Sequence, residues 1–203
     1  MDPRAAFDLL DWKRRVFALY AAIREEPDHR RAWQLWRETR DRMFGSHPQS
    51  PLPELDRASF VGLDFFDYDP ASRVLAEIGD APSQHYELPE STGGTMAFSR
   101  VGRATFTLNE RELELELYWL EGYGGGLFLP FKDRTAGAET YGAGRYLLDT
   151  IKGADLGVQD GKLVLDFNFA YNPSCSYDPR WSCPLAPQPN HLPVEVRAGE
   201  RVS

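Results

Sequence analysis

Residues 112–120 alternate without a break. Leu113, Leu115, Leu117 and Trp119 are apolar, and Glu112, Glu114, Glu116 and Tyr118 fall between them. A period of two is the spacing of a strand, whose successive side chains point to opposite faces. The stretch therefore predicts a strand with one dry face and one wet face. Residues 97–108 read the same way, with Ala104, Phe106 and Leu108 on one side and Thr105 and Thr107 on the other. Between the two runs, Asn109, Glu110 and Arg111 suit a hairpin turn. An antiparallel pair is thus the element around which the chain has to fold.

The N-terminal quarter has a different period. Over 5–26, Phe7, Leu10, Arg14, Phe17 and Ala21 mark one helical face, widened by Val16, Leu19, Tyr20 and Ile23. Asp2 and Pro3 form an N-cap and first-turn pair. Pro27 interrupts, and a second helix is predicted over 28–44, with Ala32, Leu35, Trp36, Thr39 and Met43 on its apolar side and Gly45 as its C-cap. Arg30, Arg31, Arg37, Arg40 and Arg42 read as a solvated face paired with Glu38 and Asp41.

A Pro-rich connector, SHPQSPLPELD, follows at 46–56. Further strands are expected within 60–68, at 127–131 and at 162–168, with a short edge strand at 193–197 and one helical turn within 69–80. Glu121 to Gly126 is a Gly-rich loop, and Asp160-Gly161 is a tight-turn signal. Helices precede strands with no βαβ alternation. The expected class is α+β: N-terminal helices followed by a mainly antiparallel sheet, barrel-like or sandwich-like.

The chain's 203 residues, 42% hydrophobic and 13% aromatic, suffice for a core. A net charge of −8 argues against nucleic acid as a partner, since phosphate binding needs a basic patch. No stretch has the length of apolar sequence needed to span a bilayer, and the N-terminus has acids before any apolar run. The expectation is a soluble cytoplasmic protein without a signal peptide or membrane partner.

The polar chemistry is concentrated in two blocks of the C-terminal third. FLPFKDRTAGAETYGAGRYL, at 128–147, holds Asp133, Thr140, Tyr141 and Arg145 among glycines that let the backbone turn sharply. Two readings are open. Arg145 is an anion clamp assisted by Thr140 and Tyr141, or it pairs with Asp133 or Asp166 and pins a long loop. The second block, LDFNFAYNPSCSYDPRWSCPLAPQPNHL, at 165–192, places Asp166 and Asn168 on one strand face with Phe167 and Phe169 on the other. That face looks into a polar cavity or into solvent. Asn172-Pro173 and Asp178-Pro179 are turn formers, and Tyr171, Tyr177 and Trp181 give the loop its own small core.

Cys175 and Cys183 stand in one tied loop, so their Cα atoms are expected to be close, within about 7 Å if they are in disulfide range. In a cytoplasm they are expected to be reduced, inert thiols. With His191 they number three potential zinc ligands, but the spacing fits no zinc knuckle, and no metal is expected. The chain has no phosphate-binding P-loop, no G-x-S-x-G elbow and no H-E-x-x-H helix, so no reaction can be read from it.

Several segments resemble one family. HPQSPL, FVGLDFFDYDPASR and STGG are similar to its earlier landmarks. FLPFKDRTAGAETYGAGRYL, LDFNFAYNPSCSY and CPLAPQPNHLPVEVRAGE match its C-terminal signature. The family is the bacterial and archaeal domain of unknown function numbered 1684, DUF1684. The resemblance covers about Trp36 to Glu200 and implies a helical arm at 1–45 ahead of a β-rich domain at 46–203. It implies no activity or cofactor.

The functional expectation has two forms. In one, the chain binds, and conceivably transforms, a small polar or anionic molecule in a pocket between the TYGAGR and DFNFAYNP blocks. That pocket would be lined by Asp133, Thr140, Tyr141, Arg145, Asp166, Asn168, Tyr171 and Cys175. In the other, the chain is a non-catalytic structural or interaction module, and the same residues are loop staples. Self-association is compatible with either.

Overall fold

The computed structural model describes residues 2–202. Helix α1 spans Pro3–Glu25 and α2 spans His29–Ser46. Both begin as their sequences require. The Asp2 carboxylate accepts from the Arg4 amide at 3.2 Å, and Asp28 accepts from the Arg30 and Arg31 amides at 3.0 and 3.1 Å. Gly45 does not cap α2. It lies inside the last turn, and His47 is the capping residue. A Cβ at Gly45 would come within 3.3 Å of the Phe60 ring, so its smallness serves packing rather than a left-handed cap.

A short helix α3 (Glu54–Arg57) precedes the strands. These are β1 (Arg73–Gly79), β2 (Gln84–Pro89), β3 (Thr95–Leu108), β4 (Arg111–Leu120), β5 (Leu127–Phe131), β6 (Arg145–Asp149), β7 (Val158–Gln159) and β8 (Lys162–Asp166). They form one antiparallel eight-stranded sheet, curled into a half-barrel, in the order β6-β5-β4-β3-β1-β8-β7. β2 shares the β1-facing edge of β3. It pairs with residues 95–100, while β1 pairs with 103–105. The α+β class and the β3–β4 hairpin are as the alternation predicts. The turn, however, is the two residues Asn109 and Glu110, both at positive φ, and Arg111 already pairs with Leu108.

Two apolar layers flank the sheet. One face contributes Ala104, Phe106, Leu108, Leu113, Leu115, Leu117, Leu129 and Phe131 to a core roofed by Leu192, Val194, Val196 and Ala198. The other carries Phe98, Tyr118, Phe128 and Tyr146 and is covered by Leu19, Tyr20, Ile23, Trp33 and Trp36 of α1 and α2. This second layer corrects the wet face expected of β4. Glu116 and Tyr118 are buried, and Trp119 is 43% exposed. The alternation marks the strand but cannot show which of its faces is roofed. The α1 face is corrected too: Phe7, Leu10 and Phe17 are exposed, and Leu19, Tyr20 and Ile23 make the contact.

Four further expectations are corrected. The aromatic run 60–68 holds one isolated bridge, Phe65 with Glu200, and no strand. β1, β2, β6 and the two-residue β7 arise where no strand was expected. β8 ends at Asp166, and Phe167–Phe169 forms a single 3-10 turn. Asp166 and Asn168 therefore do not share a strand face. Residues 193–197 have a strand's alternation, with Val194 and Val196 buried and Pro193, Glu195 and Arg197 exposed, yet they are not a strand. Backbone bonds from the 132–134 segment reach Leu192 and Val194 and stop there; beyond Val194 the ladder is replaced by a pair of side chains.

Candidate functional site

That pair is Asp133 and Arg145. Gly144, at φ +99°, delivers Arg145 to the start of β6 in a place where a Cβ would meet the Phe131 carbonyl at 2.5 Å, so only glycine fits. The Arg145 side chain is 1% exposed. Its Nη2 donates to Asp133 Oδ2 at 2.8 Å and to the Val196 carbonyl at 2.9 Å. Its Nη1 donates to the carbonyls of Ala198 and, at 3.2 Å, Glu200. In a straight strand those three carbonyls would span about 13 Å. They reach one guanidinium because the segment curls around it, turning at Gly199 with φ +80°. Asp133 Oδ1 completes the seam, accepting from the Val196 amide at 3.2 Å and from the Thr135 amide and hydroxyl at 2.8 and 2.6 Å. Thr140 joins through its hydroxyl, 2.8 Å from that of Thr135. Burial pulls the Arg145 pKa below its usual value, and the Asp133 carboxylate opposes it. The group stays charged.

The other residues singled out from the sequence lie elsewhere. Asp166 is the side-chain cap of the 3-10 turn, accepting from the Asn168 amide at 3.0 Å and its Nδ2 at 2.8 Å. Asn168 zips to the backbone of Asp69, accepting from its amide at 2.9 Å and donating to its carbonyl at 2.7 Å. Burial raises the Asp166 carboxyl to about 6. Tyr141 has its hydroxyl 3.8 Å from Cys175 Sγ. Tyr171 exchanges backbone bonds with Tyr146 at 2.9 and 3.1 Å. The eight residues thus fall into separate clusters: Asp133, Thr140 and Arg145; Asp166 and Asn168; Tyr141 and Cys175; and Tyr171. Of the cavities described, none is bordered by Asp133 or Arg145.

A cleft opens instead between the helices and the AYNPS segment. It has a volume of about 70 Å³, room for more than the ~10–15 Å³ that one water needs. Trp12, Val16 and Phe44 give it an apolar wall, and Tyr20, Arg40, Lys152, Tyr171, Asn172 and Ser174 bring polar groups. Arg40 lies over the rings of Trp36, Phe44 and Tyr171, 4.9, 4.9 and 5.2 Å from their centroids. It donates to Glu200 Oε2 at 2.7 Å. Glu200 is 1% exposed, and burial raises its pKa. It also accepts from the Asn172 amide at 3.0 Å and from the Tyr177 hydroxyl. Lys152 pairs with Asp149 at 3.3 Å.

Two residues bordering the cleft have a polar atom buried without a hydrogen-bond partner, Arg40 Nε and Asn172 Oδ1; Asn172 also borders a second cavity, of about 320 Å³, with Ser176 and Arg201, whose Oγ and Nε are likewise unpaired. Asn172 is 4% exposed, and its Nδ2 donates to the Arg201 carbonyl at 3.1 Å, which fixes the amide's direction. The Tyr20 hydroxyl accepts from Trp36 Nε1 at 3.1 Å. Sequence reasoning missed Arg40 by placing it on the solvated face. The available signal was its spacing, four residues after Trp36 and four before Phe44, which puts it on the apolar stripe. Asn172, followed by Pro173, carries only a turn former's signal in the sequence.

A wider groove, about 540 Å³, lies elsewhere, between Leu108–Arg111 and residues 193–197, and carries Arg111, Arg134 and Arg197. Its buried polar side chain is already satisfied, since Ser72 Oγ donates to Asp69 at 3.1 Å. Among the described residues, no group of three His, Cys, Asp or Glu is arranged to hold a metal ion, and no helix is long and apolar enough to cross a membrane.

The family model described as "Protein of unknown function (DUF1684)" matches residues 58–201. The solution NMR structure of the uncharacterized protein from gene locus rrnAC0354 of Haloarcula marismortui is 35% identical, with 86% of this chain and 95% of that one covered and a TM-score of 0.61. No curated protein matches the chain.

Proposed function

We propose, for a chain that belongs to the DUF1684 family of proteins of unknown function, that it binds a small polar molecule in the cleft between α1, α2 and the AYNPS segment. The pocket is placed on the helix side of DFNFAYNP rather than on the TYGAGR side, because both Arg145 Nη atoms are committed to Asp133 and three carbonyls, and its unpaired Nε belongs to a residue that borders none of the cavities described above. The observation that carries the reading is the buried Asn172 Oδ1 with no donor to meet it. A buried acceptor left unmade costs about 1–3 kcal/mol. A bound molecule that donates there recovers that free energy.

Arg40 Nε asks for the opposite, an acceptor. The ligand class that fits carries a hydrogen-bond donor and a neutral or anionic acceptor on one small body, with an apolar part against Trp12, Val16 and Phe44. Small hydroxy- and amino-carboxylates meet that description.

A second reading, a non-catalytic module whose signature residues are staples, is favoured by the Asp133–Arg145 seam. It assigns a role to the TYGAGR block and none to the cleft. The two are separated by a thermal-shift screen of small hydroxy- and amino-carboxylates on the parent and on Asn172→Leu. A ligand at about 100 times its Kd stabilises the folded state by about 2.7 kcal/mol, roughly 5–11 °C in a chain of this size. That shift is expected in the parent and not in Asn172→Leu. No shift with any member of the set, or equal shifts in both proteins, rejects the cleft as the site.

A further inference from the structure

The second cavity that Asn172 borders has a volume of about 320 Å³, within the roughly 300–1,000 Å³ range of small-molecule sites. Its walls come from residues 60–64, from the loop at 172–177 and from residues 200–202. Hydrogen bonds pin all three. The Arg201 amide donates to the Asp64 carbonyl at 2.9 Å, and the Ser176 amide donates to the Pro173 carbonyl at 2.9 Å. Asn172 Nδ2 ties the loop to the Arg201 carbonyl at 3.1 Å.

These bonds hold the walls and leave three side-chain atoms unmet. Asn172 Oδ1, Ser176 Oγ and Arg201 Nε are half of the six buried side-chain polar atoms that lack a hydrogen-bond partner among the described residues. Folded interiors leave few such atoms, so their concentration around one cavity marks a place where partners come from outside the chain. The three make different demands: Asn172 Oδ1 accepts, Arg201 Nε donates, and Ser176 Oγ does either. The formal charges around the cavity are already matched. The Asp64 carboxylate lies 3.9 Å from Arg201 Nε, a charge pairing too long for a hydrogen bond. Glu200 has Arg40 at 2.7 Å. A charged occupant would bring a charge with nothing to balance it.

We infer that this cavity is a binding site for a neutral polyhydroxylated molecule, a sugar or polyol. A hydroxyl donates and accepts at one atom, so adjacent hydroxyls meet the acceptor of Asn172, the donor of Arg201 and the hydroxyl of Ser176. Phe60, Leu63 and Val202 give the carbon side of such a molecule an apolar wall. Ser176 and Arg201 border this cavity and not the cleft, while Asn172 borders both. The inference therefore does not rest on carboxylate binding in the cleft.

Concentrated polyols stabilise folded proteins by exclusion from the surface, so melting temperature is the wrong readout. The test is saturation-transfer NMR on the parent protein with D-glucose, myo-inositol and glycerol at millimolar concentrations. Transfer that saturates as the concentration rises is expected for at least one of the three. Ser176→Ala and Arg201→Met each delete an atom that bonds to nothing in the protein, so both are expected to fold. In each, binding of that probe should weaken by about tenfold, and any carboxylate response of the cleft should be unchanged. No saturable transfer from any probe, or equal transfer in the parent and both variants, overturns the inference. A carboxylate response lost in Asn172→Leu, with no polyol response in the parent, would uphold the cleft and reject this site.

Discussion

Two buried arginine–carboxylate pairs lie on opposite sides of the C-terminal segment and do different things. Arg145 and Asp133 are both 1% exposed, and their hydrogen bonds run into the backbone of residues 196–200. Arg40 and Glu200 are 14% and 1% exposed, and Arg40 borders a cleft beside an unpaired Asn172 carbonyl. The first pair takes the place of a neighbouring strand. The second holds polar atoms at the edge of a space. A buried cation in a polar, glycine-rich block is therefore no indicator of a ligand site until its hydrogen-bond partners are counted.

The contrast can be broken most easily at Arg145. Removing it leaves Asp133 buried and uncompensated and three carbonyls unmet. Losing one partner of a buried pair costs about 3–5 kcal/mol, roughly 6–20 °C in melting temperature at this chain length. Arg145→Ala is expected to show that drop in a thermal melt. A change of a degree or two would mean that the guanidinium is free for a ligand after all.

Asp166 sharpens the comparison, because among the described residues this buried carboxylate forms no ion pair. Its folded pKa of about 6 lies above the ordinary 3.8. The folded state therefore holds the proton more tightly than the unfolded chain does. Stability is gained as pH falls through about 6, the gain is complete near 3.8, and above 6 the buried charge weighs against the fold. Asp166→Asn keeps the acceptor and removes the titration. It is expected to be more stable than the parent at pH 8, by at most about 3 kcal/mol, with the gap closing by pH 4. Denaturant melts across that range read it, and a gap independent of pH contradicts it.

Arg40→Met retains the stem over Trp36 and Phe44 and deletes the charge. Glu200 keeps the Asn172 amide and Tyr177 hydroxyl and can take up a proton, so the expected loss is smaller, about 1–3 kcal/mol. A loss as large as that of Arg145→Ala would make the two pairs equivalent. The smallest effect is expected at Asn172→Leu, which removes an unmet acceptor but also the bond to the Arg201 carbonyl. Its unliganded stability should stay within about 1 kcal/mol of the parent.

The β3–β4 hairpin and both helices were legible because each repeats one period over many residues. Residues 193–197 show where that reading stops. Their alternation is a strand's, but hydrogen bonding follows from what lies alongside, and here backbone reaches only as far as Val194, with side chains alongside Val196. The DFNF turn failed for a related reason: Asp166 caps Asn168 locally, a competition with the ladder that periodicity does not register. At the site, sequence reasoning found Arg145 with Asp133 as one of two open readings. It placed Arg40 in solvent although the Trp36–Arg40–Phe44 spacing puts it on the buried stripe. Glu200, which organises the cleft from the far end of the chain, gives no local signal, because its partners are 23, 28 and 160 residues away.

Amide hydrogen exchange in Arg145→Leu tests the strand-replacing seam most directly. If the guanidinium and Asp133 stand in for a missing strand, residues 192–201 should lose protection selectively, the Val196 amide foremost, while β3 and β4 keep theirs. Protection of 192–201 equal to that of the parent would show that the C-terminal segment is held by its apolar side chains and its backbone bonds to Asp64, Phe66, Lys132, Arg134 and Ala170, and that the seam is not what fixes it.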